Sequence, residues 1–379
     1  MTSRFTALVA QSLDLAKGAV PTRFSPPTAS RARWSPERAS SWRAETGWLV
    51  GCNFTPSTAG NQLEMWQADT FDPTTIEREL GWAAGLGFNS IRLFLHDLMW
   101  ELDGEAFLDR VDEVLAIADG HGIGVMPVLF DGVWHPHPRP GPQPEPIPGV
   151  HNSAWVQGPG AAVLADPRRW DDLRPYVQAT VERFGADRRV QVWDLFNEPD
   201  QRNALPYAHL EIRGKTKKAD GLLNRLFDWC EAIDPDQPVT AGVFTGVSGS
   251  VERVSAINRT MLSRSDVISF HCYSPRARLE STIDHLAAYE RPMLCTEWMA
   301  RALGSTVDLL EVFAAHDVGA YCWGLVDGRT QTKYPWTSWV RASTGDRRWF
   351  HELFHHDGRP YDDDEAALIR RVTASSVST

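Results

Sequence analysis

The run Trp193-Asp194-Leu195-Phe196-Asn197-Glu198-Pro199 decides how this chain is read. The apolar stretch 190–196 predicts a buried strand, and Pro199 lacks the N–H that would continue its ladder, so Glu198 falls at the strand's C-terminal tip. In an α/β barrel that tip opens on the face where sites are built. A second stretch, Met293-Leu294-Cys295-Thr296-Glu297-Trp298, again puts a glutamate after an apolar strand, three strands further on.

Working outward from these two, short β-branched or aromatic runs alternate from Gly47 onward with longer segments of helical period. Such alternation signals repeated βαβ units and a parallel sheet. Strands are expected at 48–54, 90–95, 124–130, 190–196, 239–244, 267–271, 293–296 and 319–324, and their near-continuous apolar character suits a sheet covered on both faces. Phe107, Leu108, Val111, Val114, Leu115 and Ala118 form one helical stripe, and Leu222, Leu223, Leu226, Phe227, Cys230 and Ile233 a second, closed by Pro235 and Pro238. Asp72-Pro73 supplies an N-cap with Pro in the first turn, and Gly87 ends that helix. Eight units follow, so the expected fold is α/β, a single (β/α)8 TIM barrel over 47–327. Flanking it are an N-terminal extension, 1–46, wrapping the outside and a strand-8 loop with a C-terminal helical extension, 328–379, that is part of the same domain.

One connection breaks the rhythm. Residues 131–160 carry Pro at every second position from Pro136 to Pro148, a composition that stiffens a loop without a partner. On the barrel's C-terminal face it reads as a rigid wall of the pocket; the alternative is a solvated spacer.

Composition bounds the function. In 379 residues the net charge is -11, which argues against a phosphate-backbone partner, so no nucleic acid is expected. No apolar run reaches membrane-span length, and the apolar run 5–10 is too short for a secretory segment, so the expectation is a cytoplasmic protein with no membrane partner. Five cysteines without a C-x-x-C pair exclude a disulfide framework and read as buried thiols. Sixteen tryptophans are a high count, and indole faces stack on sugar rings as well as filling cores. His135-Pro136-His137 and His96-Asp97 are rejected as metal sites, because ligands of that spacing belong on a strand that aims both inward. Neither metal nor cofactor is expected; no dinucleotide, Walker or nucleophile-elbow sequence occurs.

Two strand-tip carboxyls suit glycosidic cleavage, where one carboxyl protonates the leaving oxygen and the other stabilises the oxocarbenium-like carbon. The chain resembles glycoside hydrolase family 5 and the wider clan A of retaining barrel hydrolases over about 47–327. The resemblance rests on Asn197-Glu198-Pro199, Thr296-Glu297, Arg92 in Ile91-Arg92-Leu93-Phe94, His271-Cys272-Tyr273 and Trp323, in order. It implies Glu198 as acid/base, Glu297 as nucleophile and Asn197 as partner of the sugar's 2-hydroxyl. It further implies Arg92 beside the nucleophile, His271 and Tyr273 as pocket residues, and Trp323 as the platform under the sugar.

The chain departs from the family after strand 3, where a His-bearing motif is usual and Phe130-Asp131-Gly132 stands instead; His151-Asn152 is offered as the equivalent. The loop after strand 1, with Asn61-Gln62-Leu63-Glu64-Met65-Trp66-Gln67, resembles cellulase-like or xylanase-like proteins of undefined substrate. Glu64, Trp66, Asn152 and Trp298 are therefore candidate sugar ligands, the alternative being that Glu64 caps a loop and Trp66 packs beneath it. The loop after strand 8, with Trp336 and Trp339, is a further candidate wall. The expected activity is retaining hydrolysis of a β-linked glycoside or oligosaccharide, exo-acting or trimming, on a small carbohydrate substrate. A transglycosylase with the same carboxylates and an inactive sugar-binding barrel are the alternatives.

Overall fold

The computed structural model describes residues 33–203, 206–244, 254–343 and 348–376. Eight parallel strands stand in the order β5-β4-β3-β2-β1-β8-β7-β6. They are β1 (Val50–Phe54), β2 (Ser90–Phe94), β3 (Gly124–Val128), β4 (Trp193–Asp194), β5 (Val239–Thr240), β6 (Ile268–Cys272), β7 (Met293–Trp298) and β8 (Val318–Trp323). A bridge between Val243 and Phe270 closes β5 on β6, so the sheet is a barrel and has no free edge.

Each strand is followed by a helix packed outside it. The set is α1 (Pro73–Gly85), α2 (Glu105–Gly120), α3 (Arg174–Phe184), α4 (Lys215–Ile233), α5 (Ala256–Arg264), α6 (Arg276–Ala287), α7 (Leu310–Ala315) and α8 (Asp363–Ser376). The stripes read from the sequence face the sheet: all six positions of α2, Phe107 through Ala118, are buried. Ile233, the last position of the α4 stripe, is only partly buried. Asp72 caps α1 by accepting from the Thr75 N–H, with Pro73 in the first turn.

The eighth helix is α8, so the last βα unit continues past residue 327, and Arg301 pairs with Glu365 at 2.6 Å to hold α8 to the barrel. Of the segment 1–46, residues 1–32 lie outside the described residues. The helix Pro36–Thr46 brings Trp42 against Leu49, Met126, Val192, Val267, Leu294 and Tyr321, the apolar layer that plugs the lower end of the barrel.

Strand 4 is assigned over two residues rather than seven, yet its hydrogen bonding continues. Leu129 N–H donates to Asp194, Leu195 N–H to Thr240 and Asn197 N–H to Phe130, so the chain runs extended up to the Asn-Glu-Pro corner. All five cysteines are buried free thiols. No helix among the described residues is long and apolar enough to cross a membrane.

Candidate active site

The barrel interior changes character from bottom to top. Above the apolar plug, Ser90 and Tyr321 share a hydrogen bond of 2.8 Å and Thr240 and Ser269 one of 2.7 Å. Above these polar pairs lies a charged network centred on Arg92.

Arg92 is fully buried. Its Nη1 donates to Oε1 of Glu297 at 2.9 Å and to Asn53 Oδ1 at 2.8 Å; its Nη2 donates to Asp194 Oδ2 at 2.8 Å and to Asn197 Oδ1 at 2.7 Å. Burial alone would weaken its hold on its proton, but Asp194 and Glu297 outweigh burial and raise its proton affinity. A rigid guanidinium fork thus fixes the nucleophile candidate and the Asn197 amide at once.

Glu297 reaches the mouth through an irregularity. Register along β6 and β7 runs Phe270↔Cys295 and then His271↔Glu297, so Thr296 is the extra residue of a bulge. Strict alternation would send one of two neighbouring side chains outward, and the bulge re-aims Glu297 into the barrel. Tyr273 donates its hydroxyl to Oε2 of Glu297 at 2.7 Å, completing the pair of donors.

Glu198 sits in a left-handed backbone conformation, φ 43°, which is costly for a residue with a Cβ and recurs at functional sites. The fit with Gly132 holds it there. Gly132 N–H donates to Asn197 O at 2.8 Å, and a Cβ at Gly132 would stand 2.6 Å from Glu198 O. The buried Lys215 Nζ donates to Gly132 O and to Glu211 Oε2, bracing the corner from α4.

His271 joins the two acids: its Nδ1 shares a hydrogen bond of 2.8 Å with Glu198 Oε1 and lies 3.4 Å from Glu297 Oε2. Glu198, His271 and Glu297 each place one ligand atom within 4.8 Å of the others. Burial lowers His271 to about 4, so it is neutral at physiological pH. The two acids differ. Burial, then Asp200 and Asp131, push Glu198 well above the usual carboxyl range. Burial pushes Glu297 to about 7, with His271, Arg92 and the Tyr273 hydroxyl holding it down and Glu198 adding to the rise. Both are raised by burial, and the donors Arg92 and Tyr273 on the two Glu297 oxygens favour its ionised form.

The spacing of Glu198, His271 and Glu297 also suits a divalent cation, but Arg92 and Tyr273 already occupy both Glu297 oxygens. His96, weighed as a ligand, instead caps the following helical turn by accepting from Leu98 N–H. His135 Nδ1 accepts from His137 N–H, so this pair does not aim inward together.

Aromatic side chains surround the acids. Trp323 is half-buried and meets Phe94 at 5.8 Å and Trp155 at 6.1 Å between ring centres, beside the Arg92 network. From Tyr273 a chain of rings runs through Trp336 at 5.2 Å, His151 at 6.4 Å and Trp134 at 5.7 Å to Trp339 at 5.8 Å. His151 stands in this wall with Nδ1 on Tyr334 O, and burial lowers it to about 4.

The loops carrying that wall are laced together. Asn152 N–H donates to Thr330 O, His151 N–H to Ser338 Oγ, and Gln331 Nε2 to Ile147 O, tying the post-β3 and post-β8 loops. Asn61 Nδ2 donates to Gln143 and Ala154 O, and Gly141 N–H to Gln67 Oε1, tying in the post-β1 loop. The Pro-rich segment is thus one course of a three-loop wall rather than a free spacer.

Three candidate ligands take other places. Glu64 binds Arg329 at 3.1 Å and accepts from Gly60 N–H, so it is a link in the lacing. Trp66 is fully buried, donates to Phe94 O and packs on Phe107 of α2, beneath the loop. Trp298 follows Glu297 on the opposite face of β7 and packs on Phe313 of α7, as alternation dictates. Asn152, φ 50°, is buried with both side-chain polar atoms unpartnered. Asp131, which the sequence reading passed over as a departure, bonds directly to Asn197.

A buried pair of glutamates joined through His271 at the C-terminal mouth of a (β/α)8 barrel defines the molecule at the level of fold and site. No protein-family model matches the chain, and no curated protein matches it. Among solved structures it is similar to a variant of GH5_18 from Streptomyces cattleya in complex with Manb1-4GlcNAc, at 15% identity over 87% of this chain and 81% of that one, TM-score 0.58. It is similar to the exo-beta-1,4-mannosidase Op5Man5 from Opitutaceae bacterium strain TAV5, at 18% identity and TM-score 0.59, covering 87% of this chain and 60% of that one. It is also similar to the endo-1,4-beta-mannanase from Rhizomucor miehei, at 14% identity and TM-score 0.55, over 88% and 96%. These likenesses establish the barrel fold.

Proposed function

We propose that the protein is a retaining glycoside hydrolase acting on a β-linked glycoside or small oligosaccharide. The observation that carries this reading is the pair Glu198 and Glu297, whose nearest ligand atoms lie within 4.8 Å of each other and of His271. Carboxyl groups about 5–5.5 Å apart leave no room for a water between them, and the closeness of these oxygens supports direct attack by one carboxylate with retention of configuration.

In the first step a Glu297 oxygen bonds to the anomeric carbon while the glycosidic C–O bond breaks and Glu198 gives its proton to the leaving oxygen. In the second, Glu198, now a carboxylate, takes a proton from water, whose oxygen displaces Glu297. Arg92 and Tyr273 hold the two Glu297 oxygens, and the Asn197 amide is fixed to meet the sugar's 2-hydroxyl.

The laced wall supports action at chain ends, because three loops tied to one another close one side of the mouth. A mannose-configured sugar is the first choice, since the similar structures include a β-mannosidase and a β-mannanase. The experiment is a panel of aryl β-glycosides led by the β-mannoside, followed by mass spectrometry of oligosaccharide digests with and without chelator. Single-sugar release that survives chelator is expected. Release of internal fragments would overturn exo action, and no turnover of any β-glycoside would overturn the function. Transfer to an added sugar acceptor in place of water would favour the transglycosylase.

A further inference from the structure

Asp131, at the C-terminal end of the third strand, is buried against Asn197. Its Oδ1 accepts from Asn197 Nδ2 at 2.9 Å and from Val133 N–H at 3.2 Å; its Oδ2 accepts from Trp155 Nε1 at 2.6 Å and from Gln62 Nε2 at 3.1 Å. Four N–H donors fill the acceptor positions of an ionised carboxylate, and a proton on Asp131 would have to displace one of them.

The consequence for Asn197 is geometric. With Oδ1 taken by Arg92 and one amide hydrogen by Asp131, the amide cannot flip, and its second hydrogen is the one left for a ligand. The consequence for Glu198 is electrostatic, since a second buried negative charge disfavours its ionisation. We propose that Asp131 is the positioning residue of this site, locking the Asn197 amide in one orientation and holding the proton on Glu198. The proposal gains its meaning from the glycosidase reading, but its test does not need substrate.

Among the described residues the titratable groups facing Glu198 are Arg92 from β2, Asp131 beyond β3, Asp200 beyond β4, Lys215 from α4, His271 and Tyr273 from β6 and its loop, and Glu297 from β7. Burial raises Asp131 to about 6, so it is charged at neutral pH despite its seclusion. Asp131 both adds negative charge beside Glu198 and bonds to Asn197.

The test is a carbon-detected carboxyl titration of Glu198 in wild type, Asp131→Asn and Gln62→Leu, beside pH profiles of kcat and kcat/KM. In wild type the Glu198 signal should show an inflection as Asp131 titrates. Asp131→Asn should abolish that inflection and move the Glu198 titration, with the basic limb of kcat/KM, down by roughly one pH unit. Its kcat should fall by about tenfold or more with little change in KM. Gln62→Leu, which keeps the charge and removes one donor, should move the inflection upward. A Glu198 titration unmoved in Asp131→Asn would overturn the proposal, as would a wild-type signal with no inflection. A rise in KM with kcat unchanged would make Asp131 a substrate contact instead. If no glycoside is turned over while the titrations shift as stated, the function falls and this inference stands.

Discussion

Tyr273 donates its hydroxyl to Oε2 of Glu297 across 2.7 Å, on the side of the carboxylate opposite Arg92. A charge-assisted hydrogen bond of this kind is worth about 1.5–3 kcal/mol, or roughly 10- to 100-fold in rate. Tyr273→Phe should lower kcat by that factor. Loss of the donor raises the Glu297 pKa further above about 7, so the acid limb of kcat/KM should move to higher pH. A pH profile with an unshifted acid limb would contradict the assignment.

Glu297→Ala should abolish turnover, and added azide should then yield a glycosyl azide of inverted configuration. Glu198→Ala should retain the first step on substrates with strongly acidic leaving groups and give, with azide, a product of retained configuration. Proton NMR of the two azides checks the roles, and exchanged stereochemistry would reverse them.

Arg92→Met leaves Asp194 and Glu297 without their shared cation inside the barrel. Breaking a buried pair in this way costs about 3–5 kcal/mol. Urea denaturation should show that loss, and residual activity in the folded fraction should be below that of Tyr273→Phe, because Asn197 is released as well.

Glu352 is fully buried in a left-handed turn, φ 48°, beneath Gly324, with Thr332 on one oxygen and the other unpartnered. Burial raises it to about 8 against an ordinary 4.5. A folded-state pKa above the unfolded one means stability present below the unfolded value and lost as pH rises through the folded value. Glu352→Gln should therefore flatten the decline in melting temperature between about pH 5 and pH 8. A decline as steep as in wild type would show that Glu352 is not the group responsible.

How much of this was legible in the sequence depended on whether a contact is local. Strand tips follow from apolar runs and Pro199, so the positions of Glu198 and Glu297 at the mouth were legible, and the stripe of α2 was read residue by residue. Arg92 was placed by its strand, but its fork to Asp194 and Asn197 joins chain segments about a hundred residues apart. Trp298, named as a candidate ligand, neighbours an inward residue, and alternation turns it toward Phe313 on the other face of β7. Trp66 and Glu64 admitted two readings, as sugar ligands or as a loop cap with a ring packed beneath it, because polar and aromatic residues crowd one loop. Only the packing against Phe107 and the pairing with Arg329 show that this crowding serves the wall. Asp131 was visible as an oddity, and a lone acid after an apolar strand was the signal to follow.

The plug formed by Leu49, Met126, Val192, Val267, Leu294 and Tyr321 makes the barrel blind at its floor. On the glycosidase reading, the floor being closed, water for the second step would enter by the same mouth as the sugar. A seated ring is then a stopper, and the aglycone must vacate the doorway before hydration can follow, which makes the order of departure and arrival a property of the architecture itself.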